Sequence, residues 1–169
     1  FVRHFAATVD NIARPKIAQR LMPIKPAAGT FAVTGTGENT VIDSRNAARY
    51  APLVRLVTTL DTQKAVALYI KFYPLFQRAY EELGYPKSYF NDRAIAAIDH
   101  LLATPDVKGP IKLVRPKVLY QYADPQLEAL SAGQKAMIRM GADNAVLVKA
   151  KLREIRSELM RQVKGRGRG

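Results

Sequence analysis

Ala145, Val148, Leu152, Ile155 and Leu159 step by three and four near the end of the chain. That spacing puts apolar side chains on one face of an α-helix. A second stripe runs through Leu68, Phe72, Leu75, Phe76 and Ala79. Such faces must be laid against other elements to leave water, so they commit the chain to helix-on-helix packing. Ser44, Asp61 and Asp143 are expected to open helices as N-caps, and Gly84 and Gly141 to stop them. Asp124 and Pro125 are expected to open a helix that runs to Gly141. Pro74 should kink a helix running from Asp61 to about Leu83. Phe31–Thr34 and Thr40–Asp43 read as two strands around a Gly35–Asn39 turn, and Ile111–Val114 and Val118–Tyr122 as short extended segments. Pro15, Pro23 and Pro26 make Ala13–Gly29 an expected extended stretch, and Phe1–Asn11 reads as a helix end or an irregular lead-in.

The expected fold class is therefore mainly α: a compact multi-helix domain with a small β-hairpin and one or two short extended segments. The 169 residues suit one domain over residues 1–163, followed by a flexible basic tail at 164–169. Hydrophobic residues make up 48% of the chain and charged residues 24%, which is enough apolar surface to pay for an ordered core. The start at Phe1 rather than Met is expected of a processed or trimmed chain.

Several chemistries are excluded. The chain has no cysteine, so disulfides, thiolate nucleophiles and Cys-based zinc sites are impossible. The two histidines, His4 and His100, cannot make a multi-His metal site. No serine lies in a G-x-S-x-G elbow, and no phosphate-cradling or dinucleotide motif occurs, so neither cofactor nor metal is expected.

The net charge is +13, concentrated at the ends. Residues 149–169 carry eight Lys and Arg against Glu154 and Glu158, and residues 1–25 carry five against Asp10. A basic surface attracts anionic polymers or head groups in a salt-dependent way. Nucleic-acid binding through the termini is the weaker alternative, since the densest aromatics, Tyr69 to Phe90, fall at helical spacing away from those cations and read as core.

"FNDRAIAAIDHLLATP", Phe90 to Pro105, is the one stretch with the materials for acid–base chemistry. Asp92 and Asp99 are seven apart and point within roughly 20° of each other, and Arg93 and His100 form a parallel row. A hydrolase-type enzyme could use Asp92, Asp99 and His100. The structural reading is favoured: Asn91 or Asp92 caps the helix, and the polar ridge lies opposite Ile95, Ile98 and Leu102. The two carboxylates are also roughly 10 Å apart along the axis, too far to share a metal.

Three phrases, "YPLFQRAYEELGYP", "YFNDRAIAAIDHLLATP" and "PIKLVRPKVLYQYADPQLEALSAGQKAMIRMG", together resemble a family of uncharacterised proteobacterial envelope proteins, classed as a domain of unknown function, number 3014. The resemblance covers nearly the whole chain, from "FVRHFAATVDN" to "KAKLREIR". It implies an N-terminal membrane anchor outside this chain and a domain facing the periplasm at the bacterial inner membrane. It implies no activity and supplies no catalytic residues. The resulting expectation is a non-enzymatic module that binds a protein or an anionic envelope polymer. Its expected contact surface lies between the Phe90–Pro105 helix and Leu113–Pro125, with Arg93, His100, Arg115, Tyr120 and Tyr122 as contacts, because Arg and Tyr anchor interfaces.

Overall fold

The computed structural model describes residues 1–15 and 27–166, with side chains as far as Val163. Most of the expected extended stretch, residues 16–26, lies outside the described residues. Eight α-helices and two antiparallel β-hairpins make up the described chain.

The chain's last helix, α8 (Ala142–Arg166), is its spine. Its 25 residues span roughly 37 Å, and it packs on α2 (Arg45–Thr58), α3 (Thr62–Lys71), α5 (Phe90–Leu102) and α7 (Ala132–Arg139). The apolar stripe read from the sequence does this work. Ala145, Val148 and Leu152 meet Val54, Met137 and Met140, and farther along Ile155 and Leu159 meet Val66 and Ile70. The helix continues through the first three residues of the expected tail, and the rest of that tail lies outside the described residues.

A second core lies where α1 (Val2–Asn11) crosses α4 (Tyr73–Glu82) and α5. Ala6, Phe76, Ala79, Tyr80 and Phe90 are its buried residues, with Tyr69, Tyr73 and Tyr85 packed around them. Phe76 and Phe90 stack with their centroids 5.9 Å apart. The fully buried Phe90 contributes on the order of 2–3 kcal/mol by transfer alone. The aromatic cluster is thus mostly core, as its spacing suggested. Phe72 and Tyr89 are the exceptions and face solvent.

The second sequence stripe is not buried as expected. Leu68, Phe72 and Leu75 are exposed, because the helix is not kinked at Pro74 but broken at Phe72. Pro74 sits in the first turn of α4, where its missing N–H is no loss. The break restarts the helical register. Val66 and Ile70 become the inner face of α3, and Phe76, Ala79 and Tyr80 that of α4.

Helix ends follow local chemistry. Asp61 accepts from Lys64 N at 3.0 Å, and Asp124 accepts from Gln126 N at 2.8 Å. Ser44 makes no cap bond; Asp43 instead accepts from Arg45 N at 2.8 Å. The residue before α5 is Tyr89, not Asn91 or Asp92, and Phe90 N donates to the Gln77 side chain at 2.8 Å. The helix expected from Asp124 to Gly141 is two: α6 (Pro125–Glu128) and α7, which restarts at a capping box between Ser131 and Gln134. Gly84 ends α4 with a φ of +105°, a conformation only glycine adopts without strain.

The hairpins form at one end of the molecule. β1 (Val33–Thr34) pairs with β2 (Val41–Ile42), and β3 (Leu113–Val114) with β4 (Gln121–Tyr122). Ile42 N donates to Ile111 O at 3.0 Å and Leu113 N to Thr40 O at 2.9 Å, which joins the two hairpins edge to edge. The buried Asn46 of α2 fixes the first hairpin, accepting from Ala32 N and donating to Ala32 O.

Candidate binding surface

The polar ridge of α5 is divided among separate neighbours. Asp99 receives Arg156 of α8 at 2.5 and 3.1 Å. His100 Nε2 lies 2.8 Å from Ser131 Oγ at the start of α7. Arg93 reaches α1, with its Nε 3.1 Å from Asp10 Oδ1 and its Nη2 donating to Asp10 O. Asp92 is exposed at the first turn, where a carboxylate suits the positive end of the helix. Asp99 and His100 each join α5 to another helix, and they do not converge with Asp92 on a common point. Among the described residues, no three His, Asp or Glu side chains cluster closely enough to hold a metal ion.

Asp10 was not singled out in the sequence, yet it organises this region. Although only 5% exposed, it also receives Arg14 at 3.0 Å and the Tyr85 hydroxyl at 3.3 Å. Donors from Arg14, Tyr85 and Arg93 thus surround this buried carboxyl, as burial of a polar group requires.

The basic C-terminal region is less basic in space than in sequence. Lys149 is only 6% exposed and donates to Thr104 O at 2.6 Å and Asp106 at 2.7 Å. The Lys149 ammonium holds the Asp106 carboxyl below the usual range. Lys151 pairs with Glu154, Arg156 with Asp99 and Arg161 with Glu158. These cations serve as struts along α8. Lys149 and Asp106 also line a groove of about 650 Å³ between the start of α2, the 104–111 loop and the α7–α8 turn. Its wall mixes Asp43, Asp106 and Asp143 with Lys108, Arg139 and Lys149, so it favours neither sign of ligand.

The second hairpin is different. Between Ile111 and Ala123 the sequence holds Lys112, Arg115 and Lys117 and no acid. Among the described residues none of these three cations forms an ion pair, and all three are exposed. Arg115 Nε donates to Val118 O at 3.1 Å and closes the tip loop. Its guanidinium lies 5.4 Å from the Tyr120 ring centroid. Tyr120 in turn lies 6.3 Å from Phe31, and Arg139 sits 5.9 Å from Phe31 and 5.8 Å from Tyr122. A chain of cation and aromatic contacts therefore runs from the tip into the core, through Arg115, Tyr120, Phe31, Arg139 and Tyr122. Each exposed contact of this kind contributes about 0.5–1 kcal/mol and fixes the loop's direction.

Arg115 and Tyr120 border a shallow groove of about 440 Å³ with Leu113, Val114, Thr40 and Glu38. Tyr122 does not reach that surface. It is 4% exposed, packs with Leu113 and Ile138, and burial pushes its phenol up to about 12. Of the five expected contacts, Arg115 and Tyr120 lie together. Arg93 and His100 are engaged between helices, and Tyr122 is core. The sequence reading missed the exposed large hydrophobics of the hairpin tip, Val118 and Leu119, at 76% and 78% exposure. Their position between Pro116 and the first residue of β4 was the available signal.

No helix among the described residues is long and apolar enough to cross a membrane. No curated protein and no solved structure matches the chain. A family model does match, over residues 1–156, and the chain belongs to that family, described as protein of unknown function (DUF3014).

Proposed function

We propose that this domain is a non-catalytic binding module that holds an anionic partner on its second hairpin. The observation that carries the reading is the set of cations without ion pairs, Lys112, Arg115 and Lys117, on a hairpin whose tip is braced by the Arg115–Tyr120 contact. Elsewhere Arg93, Lys149, Arg156 and Arg161, which looked available in the sequence, are tied into the fold by Asp10, Asp106, Asp99 and Glu158. A braced loop also loses little conformational freedom on binding. The groups with acid–base potential support the same reading, because Asp99 and His100 spend their hydrogen bonds on Arg156 and Ser131. We place the domain on the periplasmic side of the bacterial inner membrane, tethered by an anchor outside this chain. That placement is supported by the family resemblance.

The test is binding of a fluorescent polyglutamate to the full 169-residue chain at low salt, with Arg115→Glu/Lys117→Glu compared with Arg153→Glu/Lys108→Glu. The hairpin pair should weaken binding about tenfold, with the loss shrinking as salt rises. Equal effects from the two pairs would overturn the reading.

A further inference from the structure

The geometry points to a more specific partner: we infer that the tip of the second hairpin seats in the head-group layer of an anionic phospholipid bilayer, with Val118 and Leu119 entering the interface and Arg115 and Lys117 meeting lipid phosphates. The inference rests on the proposed hairpin reading for its location and adds the partner's chemistry.

What decides the partner is the apolar side chains exposed among the cations. Val118 and Leu119 are 76% and 78% exposed, and Val114 beside them is 46% exposed. A polyanion dissolved in water has no use for aliphatic side chains at the point of contact. It would be met by Lys, Arg or hydrogen-bonding groups. An acidic protein surface is also a poor match. Two projecting side chains fall far short of the roughly 800 Å² per partner that a stable protein interface buries. A bilayer surface offers both contacts at once: phosphates for the exposed cations and hydrocarbon just beneath for the exposed aliphatic pair.

The loop backbone sets the depth. Residues 115–120 lie outside the strand ladder, so their main-chain groups need water or head groups and cannot enter hydrocarbon. Only side chains penetrate, and contact is shallow. The Arg115 Nε bond to Val118 O closes the tip turn, so the exposed aliphatic pair is presented without a folding step.

The experiment is co-sedimentation of the full chain with large vesicles of phosphatidylglycerol and phosphatidylethanolamine, against vesicles of phosphatidylcholine alone. Val118→Ser/Leu119→Ser changes the apolar tip and leaves every charge in place, and these exposed positions tolerate serine. The inference expects binding to the anionic vesicles only, reduced about tenfold by the serine pair, while polyglutamate binding by the same variant is unchanged. Serine variants that sediment as well as the parent would overturn the lipid inference. In that case the hairpin reading stands if Arg115→Glu/Lys117→Glu still loses polyglutamate, and both fall if it does not.

Discussion

His100 Nε2 lies 2.8 Å from Ser131 Oγ, and Ser131 is the N-cap of α7, accepting from Gln134 N at 3.1 Å. The imidazole that looked like catalytic material in the sequence braces a helix start. Ser131→Ala removes the cap and the partner of His100 together. It should cost about 1–2 kcal/mol, seen as a lower urea midpoint with an unchanged slope. Ser131→Thr, which keeps the hydroxyl, should recover most of the loss.

Asp10 and Arg93 tie α1 to α5 across 83 residues of sequence. Arg93→Met should cost about 2–4 kcal/mol, because it strips a partner from a buried carboxylate. Asp10→Asn/Arg93→Met should lose less than the two single losses combined, since the orphaned charge is gone. A double-mutant cycle by urea unfolding measures this coupling, and strict additivity would contradict the account.

Gly133 sits where α7 meets the end of α1. A Cβ there would stand 2.6 Å from Ile12 Cγ1 and 2.8 Å from Ile12 O. Gly133 N also donates to that carbonyl at 3.1 Å, so the two backbones cannot part without losing a bond. Gly133→Ala should destabilise by about 1–3 kcal/mol through overpacking, measured by thermal or urea unfolding, although alanine is the better helix former.

Acid should weaken the fold partly through Glu128. Burial alone would raise its carboxyl, but Lys135 at 2.8 Å and the Tyr122 N–H at 3.0 Å hold it below the ordinary 4.5. A depressed carboxyl contributes stability that is complete above its unfolded value and is lost as pH falls through the folded one. The urea midpoint should therefore drop below about pH 4.5, and more steeply in the parent than in Glu128→Gln. Identical slopes would show that the pair contributes nothing to folding.

Much of this fold was legible because helical periodicity and caps are local signals. The α8 stripe, the Asp61 and Asp124 caps and the Gly84 stop are all read within a few residues of themselves. The Ser131–Gln134 box was equally local, with serine and glutamine at the capping-box spacing, but the long helix expected from Asp124 concealed it. The α3–α4 break misled for a related reason. One stripe through Leu68 to Ala79 was assumed to keep its register across Phe72. The contact surface was less legible, since Arg93–Asp10, Arg156–Asp99 and Lys149–Asp106 join residues far apart in sequence. Only after those pairs are removed does the hairpin stand out as a place where three exposed cations without ion pairs stand close together in sequence with no acid among them.

The central claim is that an anionic partner meets the second hairpin and not the α5 ridge or the basic C-terminal region. Backbone amide and arginine Nε–H chemical shifts of the isotopically labelled chain, followed as polyglutamate is added at low salt, test it residue by residue. The account predicts that the largest movements fall between Lys112 and Tyr122, with the Arg115 Nε signal among them. Movements centred on Asp92 to His100, or on residues after Lys149, with the hairpin signals still, would contradict it.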